Sequence, residues 1–241
     1  MFGPVQAAVR LERQVEDIMK LLKQLLGFVV VFAAGLLVGR LTLGRSAADA
    51  APRTPLSPRL LDGVPDVRQS TGYSCGASAL QAVLAYWGTS EREDRLMARL
   101  HTTPEQGTSP DDIVRVAREF NLRAELKEGL EMADLEAALE EGQTVIVDLQ
   151  AWRESADAPW SQTWDDGHYV VLLGADAANL YFEDPSLLGA RGSIPKREFL
   201  DRWHDYEGDP PLDAGDRKFV HAAIFIRGDR SPSPSAVERI E

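Results

Sequence analysis

A single cysteine, Cys75, stands among the 241 residues. The chain therefore closes no internal disulfide and builds no cysteine-based zinc site. Histidine is scarce too. Of the four, His101 falls in a loop at a helix end, His204 in a polar stretch and His221 in a strand-like run. None pairs with another or with His168 at metal-ligand spacing, so no metal and no cofactor is expected. A phosphate-binding segment of the form Gly, four residues, Gly-Lys-Ser/Thr is missing, so nothing points to ATP. Basic residues are outnumbered, 26 Lys and Arg against 38 Asp and Glu, for a formal charge of −12. The deficit is uneven. Residues 1–50 hold six basic side chains (Arg10, Arg13, Lys20, Lys23, Arg40, Arg45) and four acids (Glu12, Glu16, Asp17, Asp49), which leaves −14 for the remainder. Such a domain repels nucleic acid, and no nucleic-acid partner is expected.

What is present divides along the chain. In residues 1–24, Ala8, Leu11, Val15, Ile18 and Leu22 recur at spacings of four and three, and Leu25 continues the series. This predicts an amphipathic helix, suited either to self-association or to lying on a membrane surface. Leu25–Gly39 is fifteen residues without a charge. With Lys23 and Arg40 snorkelling, residues 25–44 read as one transmembrane anchor. The long, acid-bearing stretch before it favours an anchor over a cleaved signal peptide, the alternative suggested by the small residues that follow. Four basic residues on each side leave orientation to the default, with the C-terminal domain outside the cytoplasm. Residues 45–59 are small, polar and Pro-rich, a linker. A domain over residues 60–228 and a polar tail over 229–241 complete the chain.

Within the domain, helices are predicted at Cys75–Trp87, ended by Gly88, and at Glu91–Leu100. A third begins at Pro110 behind Ser109 as N-cap and runs to Phe120; a fourth covers Ala133–Glu141, ended by Gly142. Thr144–Gln150, His168–Gly174, Asn179–Glu183 and Phe219–Ile226 are apolar or alternating runs of strand type. Helices first and strands later indicate an α+β fold.

Three segments can carry chemistry. In the first, a Gly/Ser loop from Gln69 runs into a helix that starts at Cys75. A helix N-terminus favours the charged form of a thiol. Gly76 would let a substrate backbone approach, and the Gln69 amide with the Cys75 N–H could hold an oxyanion. In the second, His168 opens an apolar strand, where it could take the thiol proton and return it to a leaving amine. In the third, Asp184 ends the next strand. A turn near Ala175–Ala178 would bring it beside His168, to fix the imidazole tautomer. A lone strand-edge histidine or an Asp-Pro turn signifies little; the combination is what counts. Trp152, Trp160 and Trp164 precede His168 and either line a groove or cap the core.

These residues resemble the C39 peptidase family, bacterial papain-like cysteine proteases best known for trimming leader peptides after a double glycine. The matching residues are Gln69, Cys75-Gly76, Tyr86-Trp87-Gly88, His168-Tyr169-Val170-Val171 and Asp184-Pro185, with an echo in Phe199–Trp203. The resemblance implies a papain-like fold with a helical half and an antiparallel sheet, and a thiol peptidase acting on a peptide or protein. It implies Cys75 as nucleophile, His168 as base and acid, Asp184 as orienter and Gln69 in the oxyanion hole. The best-known relatives are fused to an ABC exporter; with one apolar span and no phosphate-binding segment here, the anchor over residues 25–44 and the resemblance together suggest a single-pass protein of the bacterial cell membrane that works with a separate export machinery. A peptide-binding module without turnover, and an amidase or acyl transferase on cell-wall peptides, are the alternatives.

Overall fold

The computed structural model describes residues 59–229, except 154 and 188. The expected helix over residues 1–24, the anchor over 25–44, nearly all of the linker and the tail beyond 229 lie outside the described residues. Among the described residues no helix is long and apolar enough to cross a membrane.

A short strand, β1 (Arg59–Leu60), leads into a long loop and then helix α1 (Cys75–Tyr86). Helices α2 (Glu93–Arg99) and α3 (Pro110–Glu119) follow, then β2 (Arg123–Lys127), α4 (Met132–Glu140) and β3 (Thr144–Gln150). A 3-10 turn at Trp160–Gln162 precedes the longest strand, β4 (Gly167–Ala175), which is followed by β5 (Asn179–Glu183) and β6 (Gly192–Pro195). Helix α5 (Lys196–Arg202), β7 (His204–Glu207), β8 (Arg217–Val220) and β9 (Ala223–Arg227) end the domain. The main sheet runs in the order β2-β9-β3-β4-β5-β6, with β1 on the end of β4, and every pairing is antiparallel. β7 and β8 form a separate two-stranded sheet.

Side chains alternate across a strand, so each strand feeds two layers. Ile146, Tyr169, Val171, Leu173, Ile224 and Ile226 pack under α1, α2 and α3. Val145, Val147, Leu149, Val170, Leu172 and Phe225 face the other way, onto α4 and α5 through Leu135, Phe199 and Trp203. The sheet is therefore buried on both sides, which explains the continuous apolar runs of β3 and β4. The predicted helices fall within two residues of those observed, and Thr144–Gln150 and Asn179–Glu183 match at both ends. Gly88 (φ +82°) and Gly142 (φ +68°) take the left-handed conformation that stops α1 and α4.

One expected strand needs correction. Phe219–Ile226 is two strands, not one. His221 turns the chain between them with φ +50°, donates its N–H to the Trp203 carbonyl at 3.0 Å and stacks on the Trp203 ring. The chain thereby leaves the small sheet and enters the large one. Helices and strands are also less segregated than expected, because β2 lies between α3 and α4 and α5 comes after β6.

Candidate functional site

Cys75 is the first residue of α1 and is partly exposed. Ser74 precedes it but does not cap the helix with its side chain. Its hydroxyl instead binds the loop, accepting from the Thr71 N–H at 3.1 Å and the Thr71 hydroxyl at 2.8 Å. The same loop is pinned by Glu93, whose carboxylate accepts from the Ser70 N–H and the Ser78 hydroxyl, each at 2.9 Å. Burial works against the charge on Glu93, but these hydrogen bonds outweigh it and hold its pKa below the usual value. The N-terminal end of α1, where Cys75 stands, is thus left without a side-chain cap from Ser74.

Gly76 serves packing rather than access. It is buried, and a Cβ there would meet Thr108 at 2.8 Å and the Tyr169 ring at 3.1 Å. Its lack of a side chain brings the first turn of α1 down onto β4.

His168 is the second residue of β4 and is 1% exposed. Its Nε2 lies 2.7 Å from Oδ1 of Asp184. The β4–β5 pairing creates this contact, because Val171 is opposite Glu183 and Asp184 follows directly. The same Oδ1 accepts from the Ser186 N–H at 2.8 Å and the Ser186 hydroxyl at 2.7 Å. The Cys75 thiol is a neighbour of the ring, close enough to act on its charge, and with Nε2 taken by Asp184 the nitrogen left to meet it is Nδ1. Burial disfavours the imidazolium, yet the bonds to Asp184 and Cys75 and their negative charge prevail and raise the His168 pKa to about 9. Burial likewise opposes the charge on Asp184, but the bonds from His168 and Ser186 keep its pKa below the ordinary value. The Trp152 ring leans on the His168 ring, with centroids 4.9 Å apart. Trp160 and Trp164 do not reach the histidine: Trp160 stacks under Arg153 and Arg202, and Trp164 packs on His204.

Gln69 sits on the loop as expected, and its backbone N–H donates to the Pro185 carbonyl at 3.0 Å, tying this loop to the Asp184 turn. Its amide nitrogen donates to the Thr71 carbonyl at 2.7 Å, and Oε1 is buried without a partner. One amide hydrogen remains for another acceptor. The structure thus joins Cys75, His168 and Asp184 in one chain of contacts and places Gln69 on the neighbouring loop.

Two further acids, which no sequence motif singles out, lie beside these residues. Asp148 lies in β3 directly opposite Tyr169 and is 7% exposed. Asp205, from β7, lies beside it. Asp205 is held by the Gln150 amide at 3.1 Å, and it leaves no room for a side chain at Gly167. Burial raises the pKa of Asp148 well above the usual carboxyl range, and Asp205 adds to this. Burial raises Asp205 as well, but less, because it accepts from the Tyr206 N–H, Asp148 and Gln150. Asp148 is therefore the protonated partner and Asp205 the ionised one. A sequence signal existed: one acid inside the otherwise apolar run of β3. Among the described residues no group of three or more His, Cys, Asp or Glu could hold a metal ion.

The sequence model of the Peptidase_C39 like family matches residues 61–210. An uncharacterized protein of Methanothermobacter marburgensis is 31% identical over 121 residues, which covers 50% of this chain and 71% of that protein. A Bacillus anthracis structure named as a C39-like peptidase superposes with a TM-score of 0.54 at 17% identity, over 73% of this chain and 99% of the other. The peptidase domain of Streptococcus ComA, a bi-functional ABC transporter, gives 0.49 at 19% identity, over 66% and 95%. The Bacillus anthracis likeness is one of fold: an α+β domain with an antiparallel sheet.

Proposed function

We propose that this chain, which belongs to the Peptidase_C39 like family, is a cysteine peptidase that cleaves peptide bonds through Cys75, His168 and Asp184. The reading rests above all on one observation, the buried His168 ring bonded to Asp184 at 2.7 Å with the Cys75 thiol as its neighbour. His168 takes the thiol proton, and the thiolate attacks the scissile carbonyl. The imidazolium returns the proton to the leaving amine, and water then releases the acyl group by the reverse sequence. Asp184 acts through His168, fixing its tautomer and favouring its charged form. The Cys75 N–H and the uncommitted N–H of Gln69 hold the oxyanion.

The substrate is a peptide or protein segment extended across Cys75. We place the enzyme at a membrane, held by residues 25–44 with the peptidase domain outside the cytoplasm. The fifteen uncharged residues from Leu25 support this. The test is digestion of a mixed peptide library by the full chain, with new termini read by mass spectrometry. Cleavage that disappears in Cys75→Ala supports the reading; an undiminished pattern in that variant, or no cleavage by the wild type, contradicts it.

A further inference from the structure

Next to the thiol lies a cavity of about 220 Å³ that includes Cys75, Thr108, Asp148, Tyr169, Asp205 and Glu207 in its walls. Four carboxyls line it, and among its lining residues there is no Lys or Arg. Asp112 is paired with Arg115 from outside and with His101 on the rim, which among the described residues leaves Asp148, Asp205 and Glu207 without a cation. Its floor is unusual for a protein interior. Asp148 is 7% exposed, and its Oδ1 is buried without a hydrogen-bond partner. The hydroxyl of Tyr169, the residue opposite it in the sheet, donates to the Thr108 carbonyl at 3.0 Å and also neighbours the Asp148 carboxyl, but Oδ1 stays without a partner. A carboxyl in such a place is costly unless something completes it. Asp205 brings a second carboxyl from a different sheet, and Gln150 and Gly167 are shaped to admit it. The fold thus places two adjacent acids beside the nucleophile, an arrangement that destabilises the empty cavity and suits a cation.

We infer that this cavity is a specificity pocket for one protonated primary amine of the substrate, bound by the Asp148–Asp205 pair beside Cys75. A compact ammonium with three donors fits two clustered carboxyls better than a planar guanidinium, and the volume admits a single amine-bearing arm. The pair shares one proton, so it carries one negative charge and balances one cation. The amine could be a lysine side chain or a free chain terminus; the pocket chemistry is the same. The inference rests on Cys75 being the working nucleophile.

Because Cys75 is the only cysteine, methanethiosulfonates report on this cavity alone. The thiolate attacks the sulfenyl sulfur, forms a mixed disulfide and expels methanesulfinate, so one reaction can carry three charges. We compare the 2-aminoethyl, methyl and 2-sulfonatoethyl reagents on the full chain. The expected order is cation, neutral, anion. The cation-to-neutral rate ratio should fall about tenfold in Asp205→Asn and in the double variant Asp148→Asn/Asp205→Asn. It should hold within about twofold in the exposed control Asp62→Asn. The neutral reagent's rate checks folding in every variant. Protection of the wild type against the neutral reagent then separates the sources. N-acetyl-lysine methylamide carries only a side-chain ammonium, alanine methylamide only an α-ammonium, and N-acetyl-norleucine methylamide no charge. One of the two amines should slow labelling where the norleucine compound does not, and it names the source. Rapid labelling with the same ratio in Asp205→Asn, or no protection by either amine, overturns the pocket but leaves the peptidase reading standing. Labelling by all three reagents no faster than in the denatured chain overturns both.

Discussion

Asp184 meets the buried ring of His168 at 2.7 Å through a carboxylate oxygen that also takes both donors of Ser186. The bond to His168 raises the histidine's pKa, and the bonds from Ser186 keep the acid ionised and fixed. The imidazolium accordingly survives well above neutral pH, to about 9. Peptide cleavage needs that proton for the leaving amine, so kcat/KM should decline on the alkaline side near the same value.

Replacing the carboxylate should move that decline. In Asp184→Ala the ring loses its hydrogen bond and the adjacent charge, so the His168 pKa falls and the alkaline limb shifts toward neutrality. At pH 8 a loss of about 10- to 100-fold in kcat/KM is expected. Ser186→Ala removes one of the two Ser186 donors and should shift the limb in the same direction by less. A pH–rate profile for each variant decides this; an unmoved limb in Asp184→Ala contradicts the role of the pair.

Gly76 offers a test of packing at the nucleophile. A methyl group there would strike Thr108 and Tyr169, both held in place by the hydrogen bond between them. Gly76→Ala should cost about 1–3 kcal/mol of stability and slow Cys75 alkylation by lifting the start of α1. Urea denaturation and thiol labelling together check it. A stable variant with unchanged labelling would show that the helix start has room.

Much of this site could be read from the sequence, and the reasons are local. Cys75 and Gln69 stand in a Gly/Ser loop before a helical pattern, and His168 and Asp184 bracket consecutive strands. Chain order alone suggested their meeting. Asp148 and Asp205 were hidden because their significance is tertiary. Asp148 looks like one polar residue in an apolar strand, and Asp205 lies in a segment that reads as polar surface until β7 folds against β3. Gly76 misled for a similar reason: a missing Cβ signals close approach, but not by what. At His221 an alternating pattern continued through a turn, because the residues on either side belong to strands of different sheets. The long apolar stretch before the domain remains a sequence expectation.

Glu183 links stability to pH. It is fully buried, with Oε1 accepting from the Val67 N–H at 2.9 Å and Oε2 without a partner. Burial raises its pKa from 4.5 to about 7, against the Val67 bond and the charge of Arg191. Between those values the folded state holds a proton that the unfolded chain has lost. The resulting stability is complete below pH 4.5 and is lost as pH rises through 7. The wild type should therefore lose roughly 3 kcal/mol more than Glu183→Gln between pH 4.5 and 8. Chemical denaturation across that range measures it, and equal pH slopes in the two proteins would contradict it.

The decisive measurement is the rate at which iodoacetamide alkylates Cys75 at pH 7 in the native full chain, in the denatured chain and in native His168→Ala. A thiol paired with His168 at a helix N-terminus should react about tenfold faster than the denatured thiol or more, and loss of His168 should remove the advantage. A native rate at or below the denatured rate, or one unchanged in His168→Ala, would contradict a working Cys75–His168 pair.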